Sequence, residues 1–181
     1  MTTTPLRTFI VHVEDLPSVL DRVTSLIRRR GYDIVSLTVG RTHAAGVSRM
    51  TIVVHADDDD ARRIEANLYK LVDVIHVEDA SRAATVTREL ALIKVRADVA
   101  TRSQIMQLCE LFRARVVDVA PEAFVCEITG AADKIDGLVG LLAPFGIVEM
   151  VRTGAVAMVR GAESVEPRTS RVESQQARPA A

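Results

Sequence analysis

The sequence predicts an α+β fold in which two βαββαβ units follow one another and lead into a polar tail. Short apolar runs and amphipathic segments alternate in the order strand, helix, strand, strand, helix, strand, and this order occurs twice. The chain is 48% hydrophobic but only 3% aromatic, so its core must be built from aliphatic side chains. Such cores suit small α+β domains in which helices cover one face of a sheet. We therefore predict domains at residues 6–80 and 88–160, a linker at 80–87 and, from its polar composition, a disordered tail at 161–181.

The first unit begins with an apolar strand at residues 9–13 and the turn Glu14-Asp15-Leu16-Pro17-Ser18. An amphipathic helix follows to Arg30. Pro17 suits its first turn, where a missing N–H costs nothing, and Gly31 suits its end. Because the first N–H groups of a helix have no intrahelical acceptor, this turn is the best candidate for binding a small anionic ligand. The apolar stripe of the helix consists of Val19, Leu20, Val23, Leu26 and Ile27.

The remaining elements of the first unit follow from similar signals. Apolar runs at residues 33–39 and 49–54 predict two strands, and the loop at 40–48 suits a hairpin. The acidic run at 57–60 opens a second helix, because acidic side chains stabilise a helix N-terminus. It lacks the alternating oxygen ligands, glycine and closing glutamate of an EF-hand calcium loop. The inward side chains of this helix are Ile64, Leu68 and Leu71, and a fourth strand at 72–77 closes the unit.

The second unit repeats the pattern of the first unit but not its residues. Asp98-Val99-Ala100-Thr101 stands where the first unit has its Glu-Asp-Leu-Pro-Ser turn. The predicted strands lie at 90–95, 116–119, 124–129 and 147–159, the last being one bent strand or a short pair. The predicted helices lie at 101–113, with Ile105, Leu108, Leu111 and Phe112 inward, and at 134–142, with Ile135, Leu138, Val139 and Leu142 inward.

Catalytic and metal-binding motifs are not recognisable, so we predict no catalytic residue and no metal ligand. The sequence has no Walker loop, nucleophile elbow, dinucleotide-binding glycine motif or Cys-x-x-Cys. His12 and His55 fall in the first and third predicted strands; they either approach one another across the sheet or are separate, partly exposed strand residues. Cys109 and Cys126 lie in apolar patterns, which favours reduced core residues over a disulfide or a metal pair.

Charge and hydropathy exclude several kinds of partner. The formal net charge is −1 and no dense basic block occurs, so we expect no binding to nucleic acid or to an anionic membrane. No apolar run approaches the ~20 residues that cross a bilayer. The polar N-terminus indicates no secretion signal, and we expect a cytoplasmic protein. The tail arginines at 168, 171 and 178 either contact a partner or belong to an inert segment.

The function classes of ferredoxin-like βαββαβ units narrow the choice further. RNA-binding units need aromatic residues on their central strands, which here carry Phe9 and then Met50-Thr51-Ile52-Val53. Metal chaperones need cysteines in the first loop, and phosphate-hydrolysing units need an arginine there. The first loop instead carries Glu14 and Asp15. Of these function classes, the one that remains compatible with the sequence is a module that senses a small molecule.

Several stretches, in order along residues 6–161, carry a family resemblance. In the first unit they are Val13-Glu14-Asp15-Leu16-Pro17-Ser18-Val19-Leu20-x-Arg22-Val23, Arg30-Gly31-Tyr32-Asp33-Ile34-x-Ser36-Leu37-Thr38-Val39, Ser48-Arg49-Met50-Thr51-Ile52 and Lys70-Leu71-Val72-Asp73-Val74. In the second unit they are Arg88-Glu89-Leu90-Ala91-Leu92-Ile93-Lys94-Val95, Phe112-Arg113-Ala114, Val117-Asp118-Val119 and Arg152-Thr153-Gly154. Together they resemble the regulatory small subunit of acetolactate (acetohydroxyacid) synthase.

The resemblance implies an N-terminal ACT domain, a second ferredoxin-like domain and a homodimer formed through the ACT domain. It also implies a non-catalytic chain, itself without a cofactor, that associates with a large catalytic subunit using thiamine diphosphate, magnesium and FAD. In this family the small subunit raises activity and confers feedback inhibition by branched-chain amino acids, usually valine. The effector lies between the first loop of one protomer and the second strand of the other. The corresponding residues are Asp15, Leu16, Pro17, Ser18, Val19, Asp33 and Ile34.

Three of these residues depart from the family pattern. Asp15 and Asp33 stand where the family usually has asparagine, and Ser18 stands where it has glycine. Asparagine both donates and accepts hydrogen bonds, whereas an ionised aspartate only accepts and repels an effector carboxylate unless its charge is paired. We therefore expect a valine response that is weakened, or a different effector. The alternatives are a free-standing amino-acid sensor with another partner and an enzyme in its own right, which lacks a catalytic set.

Overall fold

Residues 4–161 are described by a computed structural model, and they divide into two units. One unit holds the described residues up to Val86 together with those from Ala157 onward, and the other runs from Thr87 to Val156. The α+β prediction of two βαββαβ units is confirmed. Except for Gly161, the predicted tail lies outside the described residues.

The first unit is a four-stranded antiparallel sheet with two helices on one face. Its strands are ordered β2-β3-β1-β4, so that the two central strands are β1 and β3. This is the arrangement expected when two βαβ crossovers interlock around a central pair. The elements are β1 (Leu6–Glu14), α1 (Val19–Arg29), β2 (Ile34–Arg41), β3 (Val47–His55), α2 (Asp58–Leu68) and β4 (Val74–Asp79).

The ends of these elements have identifiable causes. Gly31, with φ +79°, lets the chain reverse after α1, and the amides of Gly31 and Tyr32 donate to the carbonyls of Arg28 and Ile27. Gly46, with φ +75°, does the same in the hairpin between β2 and β3. Asp57 caps α2, since its carboxylate accepts the Asp60 amide at 2.8 Å.

Alternate residues of the central strands form the core of the first unit. Phe9, Val11 and Val13 of β1 point to the helical face, as do Met50 and Ile52 of β3, because side chains alternate across a sheet. Against them lie apolar residues of the two helices: Val19, Val23 and Ile27 from α1, and Ala61, Ile64 and Leu68 from α2.

The second unit has the same order of elements. Its sheet is ordered β6-β7-β5-β8, with a further strand, β9, paired to β5. The last predicted strand is therefore a short pair, broken at Gly154 (φ +78°). The elements that follow β4 along the chain are a 3₁₀ turn (Ala80–Arg82), β5 (Thr85–Arg96), α3 (Arg102–Leu111), β6 (Arg115–Val119), β7 (Ala123–Gly130), α4 (Ala132–Leu142), a 3₁₀ turn (Ala143–Phe145), β8 (Ile147–Arg152) and β9 (Val156–Val159). The 3₁₀ turn at Ala80–Arg82 and most of β9 lie in the first unit.

The two cysteines lie in the core of the second unit, as predicted. Cys109 of α3 and Cys126 of β7 are buried free thiols whose sulfurs are 3.3 Å apart. Contact with Cys109 and burial raise the pKa of the Cys126 thiol above its ordinary value, so this thiol is protonated at neutral pH.

The segment from Ala157 packs with the first unit, although residues 157–160 were expected to close the second. Ala157 is buried in a small cluster with Ile10 and Ala80. The Arg49 guanidinium donates to the Ala157 carbonyl, and the Arg160 amide donates to the Ala84 carbonyl at 2.8 Å. The face of the first sheet opposite its helices is therefore partly covered by the end of the described chain.

Two side-chain expectations are wrong. Leu20 is 42% exposed and Leu111 is 73% exposed, although both belong to the apolar stripes of their helices; each lies in a terminal turn. Of the two alternatives for His12 and His55, the structure shows separate strand residues, with His12 partly buried and His55 exposed. Arg49 lies opposite His12 in the β1–β3 ladder and Leu6 lies opposite His55, whereas His12 faces His76 of β4.

Candidate functional site

The loop of residues 14–18, called here the effector loop, joins β1 to the start of α1. The Leu16 amide donates to the Glu14 carbonyl at 2.8 Å, and the Val19 amide donates to the Leu16 carbonyl at 3.2 Å, so the loop is a tight double turn. The side chain of Ser18, the N-cap residue, makes no capping hydrogen bond. The amide of Val19 is bonded to the Leu16 carbonyl, but the Ser18 side chain caps none of the amides that follow in the first turn of α1, which is the arrangement that favours an anionic ligand.

On one side, the effector loop is held by the β2–β3 hairpin through Asp15. The Asp15 amide donates to the Gly46 carbonyl at 2.9 Å. One carboxylate oxygen of Asp15 accepts the Ser48 hydroxyl at 2.9 Å, and the other lies 3.1 Å from Nε of Arg41. Arg41 and Ser48 are partners in the β2–β3 ladder, which brings both to Asp15. The charge of Asp15 is therefore paired.

On its other side, the effector loop is held by the connection between α2 and β4. Arg22 of α1 donates to the Ser18 hydroxyl, and its Nη1 lies 2.7 Å from Oδ2 of Asp73. The Asp73 carbonyl accepts the Glu14 amide at 2.9 Å. Asp73 is buried, so its carboxylate requires this cationic partner. The two ends of the loop are thus fixed to the same neighbouring segment.

The predicted site residues of this loop fall into two groups. Asp15, Leu16, Pro17 and Ser18 are exposed and accessible to a ligand. Val19 is different, because its side chain is buried in the core and only its backbone borders the loop. The exposed side chains of Leu16 and Leu20 add apolar surface beside the loop.

The other predicted site residues, Asp33 and Ile34, lie at the opposite end of α1. They line a depression of about 300 Å³ together with Arg28, Tyr32 and the α1 residues Asp21, Thr24 and Ser25. Because α1 has 11 residues, the two ends of the helix are roughly 16 Å apart. Within one protomer the structure therefore does not bring Asp33 and Ile34 to the effector loop.

In the second unit, the corresponding loop is closed by its own aspartate. The Asp98 carboxylate accepts the amides of Ala100 and Thr101 at 3.0 and 2.8 Å and the Thr101 hydroxyl at 2.7 Å. The bonds from Thr101 and Ala100 lower the pKa of Asp98. The amides of this second loop are therefore bonded to Asp98. In the first unit, by contrast, the Asp15 carboxylate contacts Ser48 and Arg41 of the hairpin. The open loop is that of the first unit.

Sequence reasoning missed the partners that hold the effector loop, namely Arg41, Ser48, Arg22 and Asp73. Arg22, Ser48 and Asp73 were part of the family resemblance, but without a role. The contacts of Ser48 and Arg41 with Asp15 follow only from the register of the hairpin. Elsewhere in residues 4–161, no three His, Cys, Asp or Glu side chains come together as a set that could hold a metal ion. None of the described helices is long and apolar enough to span a membrane.

The fold and the open loop define the class of the protein: a tandem ferredoxin-like protein whose first unit is an ACT domain. A family model described as "AHAS small subunit-like ACT domain" matches residues 9–76, and one described as "Small subunit of acetolactate synthase" matches residues 88–161. The chain belongs to the acetolactate synthase small-subunit family, whose members are regulatory subunits in branched-chain amino acid biosynthesis.

Relatives of known name agree over nearly their whole length. The acetolactate synthase small subunit of Mycolicibacterium smegmatis is 47% identical over 162 residues, which are 90% of this chain and 95% of that protein. The acetolactate synthase small subunit of Bacillus subtilis is 44% identical over 87% of this chain and 92% of its own length. The crystal structure of the small subunit from Thermotoga maritima superimposes with a TM-score of 0.81 at 40% identity, covering 88% of this chain and 99% of that one.

Proposed function

We propose that this chain activates the catalytic large subunit of acetolactate synthase and transmits feedback by a branched-chain amino acid. The observation that carries the proposal is the effector loop, which is open, exposed at its tip and fixed on both sides within an ACT domain. Membership of the small-subunit family supplies the partner. The chain itself carries no cofactor in this proposal; thiamine diphosphate, magnesium and FAD belong to the catalytic subunit.

The proposed active form is a homodimer assembled through the ACT domain. Support comes from the separation of the two predicted halves of the site, at opposite ends of α1 in one protomer. A second copy, running the other way, can set its Asp33 and Ile34 beside the effector loop of the first. The strand β2 lies at an edge of the sheet, where a second copy can pack against it. The proposal places the protein in the cytoplasm, where two adjacent thiols stay reduced.

The proposed effector response is weaker than, or different from, the valine response of the family. Asp15 and Asp33 lack the amide donors of asparagine, and Ser18 adds a side chain where glycine gives a ligand closer access to the backbone. The pairing of Asp15 with Arg41 reduces charge repulsion but does not restore a donor at that position.

One assay tests both parts of the proposal. The purified chain alone should not convert pyruvate to acetolactate, and adding it to the catalytic large subunit should raise acetolactate formation severalfold. Valine, leucine and isoleucine are then titrated into the complex and, by calorimetry, into the isolated chain. The activating role is wrong if the catalytic subunit gains no activity.

The altered response has its own variant. The triple change Asp15→Asn, Ser18→Gly and Asp33→Asn should strengthen valine binding at least tenfold if these residues weaken it. Tight valine binding by the native chain, unchanged in the triple variant, would show that the response is the ordinary one of the family.

A further inference from the structure

The effector loop carries the negative charge of Asp15, which is paired with Arg41. Asp15 is an exposed carboxylate within the loop where the proposed function places the carboxylate of an amino acid. Two carboxylates in contact repel each other, and the repulsion disfavours binding unless a cation lies between or beside them. Binding of an anionic ligand at this loop therefore requires a compensating positive charge.

Both oxygens of Asp15 are engaged from the hairpin. Oδ1 accepts the hydroxyl of buried Ser48 at 2.9 Å, and Oδ2 lies 3.1 Å from Nε of Arg41. The bond from the Asp15 amide to the Gly46 carbonyl fixes the loop backbone to the same hairpin. The pair of Asp15 and Arg41 is therefore neutral overall, and its orientation is set by three contacts rather than by one.

The Arg41 guanidinium keeps most of its donors free for a ligand. Its side chain is 86% exposed, and Nε is the atom that faces Asp15. Nη1 and Nη2 carry the other four N–H groups, in the planar fork that binds carboxylates through two parallel hydrogen bonds. Across residues 4–161, Asp15 is the one acidic side chain with which Arg41 forms an ion pair.

The other arginine beside the loop is not available in this way. Arg22 donates to the Ser18 hydroxyl and neutralises the buried carboxylate of Asp73. Leu16 and Leu20 border the loop with exposed apolar surface. A ligand with one carboxylate for Arg41, an ammonium group for Asp15 and a small apolar side chain for the two leucines fits this distribution of charge.

We propose that Arg41 is a specificity-determining residue of the effector loop: it neutralises Asp15 and binds the carboxylate of a small apolar amino acid. The inference rests on the proposed feedback function and adds to it the group that recognises the effector's charge. A loop with Asp15 but without Arg41 should reject anionic ligands and favour cationic ones.

The test compares L-valine with L-valinamide, which keeps the ammonium group and the side chain but has no carboxylate. Both are titrated by calorimetry into the native chain and into Arg41→Gln, Asp15→Asn and the double variant, all full length. The native chain should prefer valine. Arg41→Gln should bind valine at least tenfold more weakly while binding valinamide as well as before or better. The double variant should bind valine more tightly than Arg41→Gln, because the repulsion from Asp15 is gone, but more weakly than the native chain, because the contact of Arg41 with the carboxylate is also lost.

The control is Arg62→Gln, which removes an exposed arginine of α2 that pairs with Asp59, far from the loop in the sequence. It should change neither affinity, and since exposed ion pairs contribute little to stability all variants should remain folded. An unchanged ratio of valine to valinamide affinity in Arg41→Gln overturns the role of Arg41 alone. If the native chain binds none of valine, leucine and isoleucine, the proposed feedback function fails, and this inference fails with it.

Discussion

At the scale of single residues, His12 shows how burial removes a charge from the sheet. It lies on β1 opposite His76 of β4, with the two ring centroids 6.1 Å apart. Burial, and then the positive charges of Arg49 and His76, lower the pKa of His12 to about 4. His12 is therefore neutral in the folded protein at neutral pH, with its Nδ1 buried and without a hydrogen-bond partner in the described part of the chain.

We predict that His12 makes the fold less stable in acid. In the unfolded chain it takes up a proton near pH 6.5, but in the folded chain only near pH 4, so the free energy of unfolding decreases as pH falls from about 6.5 to 4. At about 1.4 kcal/mol per pKa unit the full shift corresponds to about 3.5 kcal/mol, and because His12 is only half-buried, solvent screening should reduce the loss to on the order of 2 kcal/mol. Urea unfolding of His12→Asn across this range should show a shallower decrease.

The matched control for this prediction is His43→Asn, which removes an exposed histidine from the β2–β3 loop. Its unfolding free energy should follow the native pH dependence. An identical slope for His12→Asn and the native chain would contradict the assignment of the acid sensitivity to His12.

At the scale of elements, the sequence predicted the four α-helices and the βαββαβ order of both units, because each element is marked by local periodicity and by turn residues at its ends. It left open whether β8 and β9 are one bent strand or two, and it assigned residues 80–87 to a linker, where a 3₁₀ turn and the start of β5 lie. The acidic run at 57–60 predicted the start of α2, and Gly31 predicted the end of α1. Side chains in terminal turns were less predictable. Leu111 continues the apolar stripe of α3, but it is the last residue of that helix and its side chain is exposed.

The cap of α2 gives a prediction at this scale. Asp57→Ala removes the acceptor of the Asp60 amide and should lower the free energy of unfolding by about 1 kcal/mol. Asp57→Asn keeps a side-chain oxygen at the same place and should cost much less. Thermal or urea unfolding of the two variants measures the difference, and equal losses would mean that the carboxylate charge, not the cap, is what matters.

At the scale of the whole molecule, the features that could not be predicted from the sequence are those that depend on contacts between distant residues. The open loop and its residues were identified from the sequence, since they follow from a strand, a turn and a helix in a row. Its partners were not: Ser48 is 33 positions from Asp15, and Arg41 reaches it only through the register of the hairpin. The packing of Ala157 against Ile10 likewise cannot be predicted from local sequence patterns, because the two residues are far apart in the chain.

That packing gives the last prediction. Ala157 is 2% exposed, so Ala157→Asp buries an unpaired carboxylate beside Ile10 and Ala80 and should cost roughly 3 kcal/mol or more. Hydrogen exchange at β1 should rise, although the change lies in the last strand. Val156→Asp is the control, because Val156 is the preceding residue of the same strand and is 48% exposed. Similar losses from both variants would show that Ala157 has no special part in the first unit.

The position of Ala157 also has a consequence for synthesis on the ribosome. Domains of a growing chain fold as their residues emerge, beginning at the N-terminus. Here the first unit takes up residues from Ala157 onward, so the whole second unit is translated before the first unit has all of its parts. We therefore expect the sheet around Ile10 to remain partly uncovered until the second unit has been translated. On a ribosome stalled just before Ala157, the helices and strands of the ACT domain would be present, but Ala157 would not yet cover Ile10.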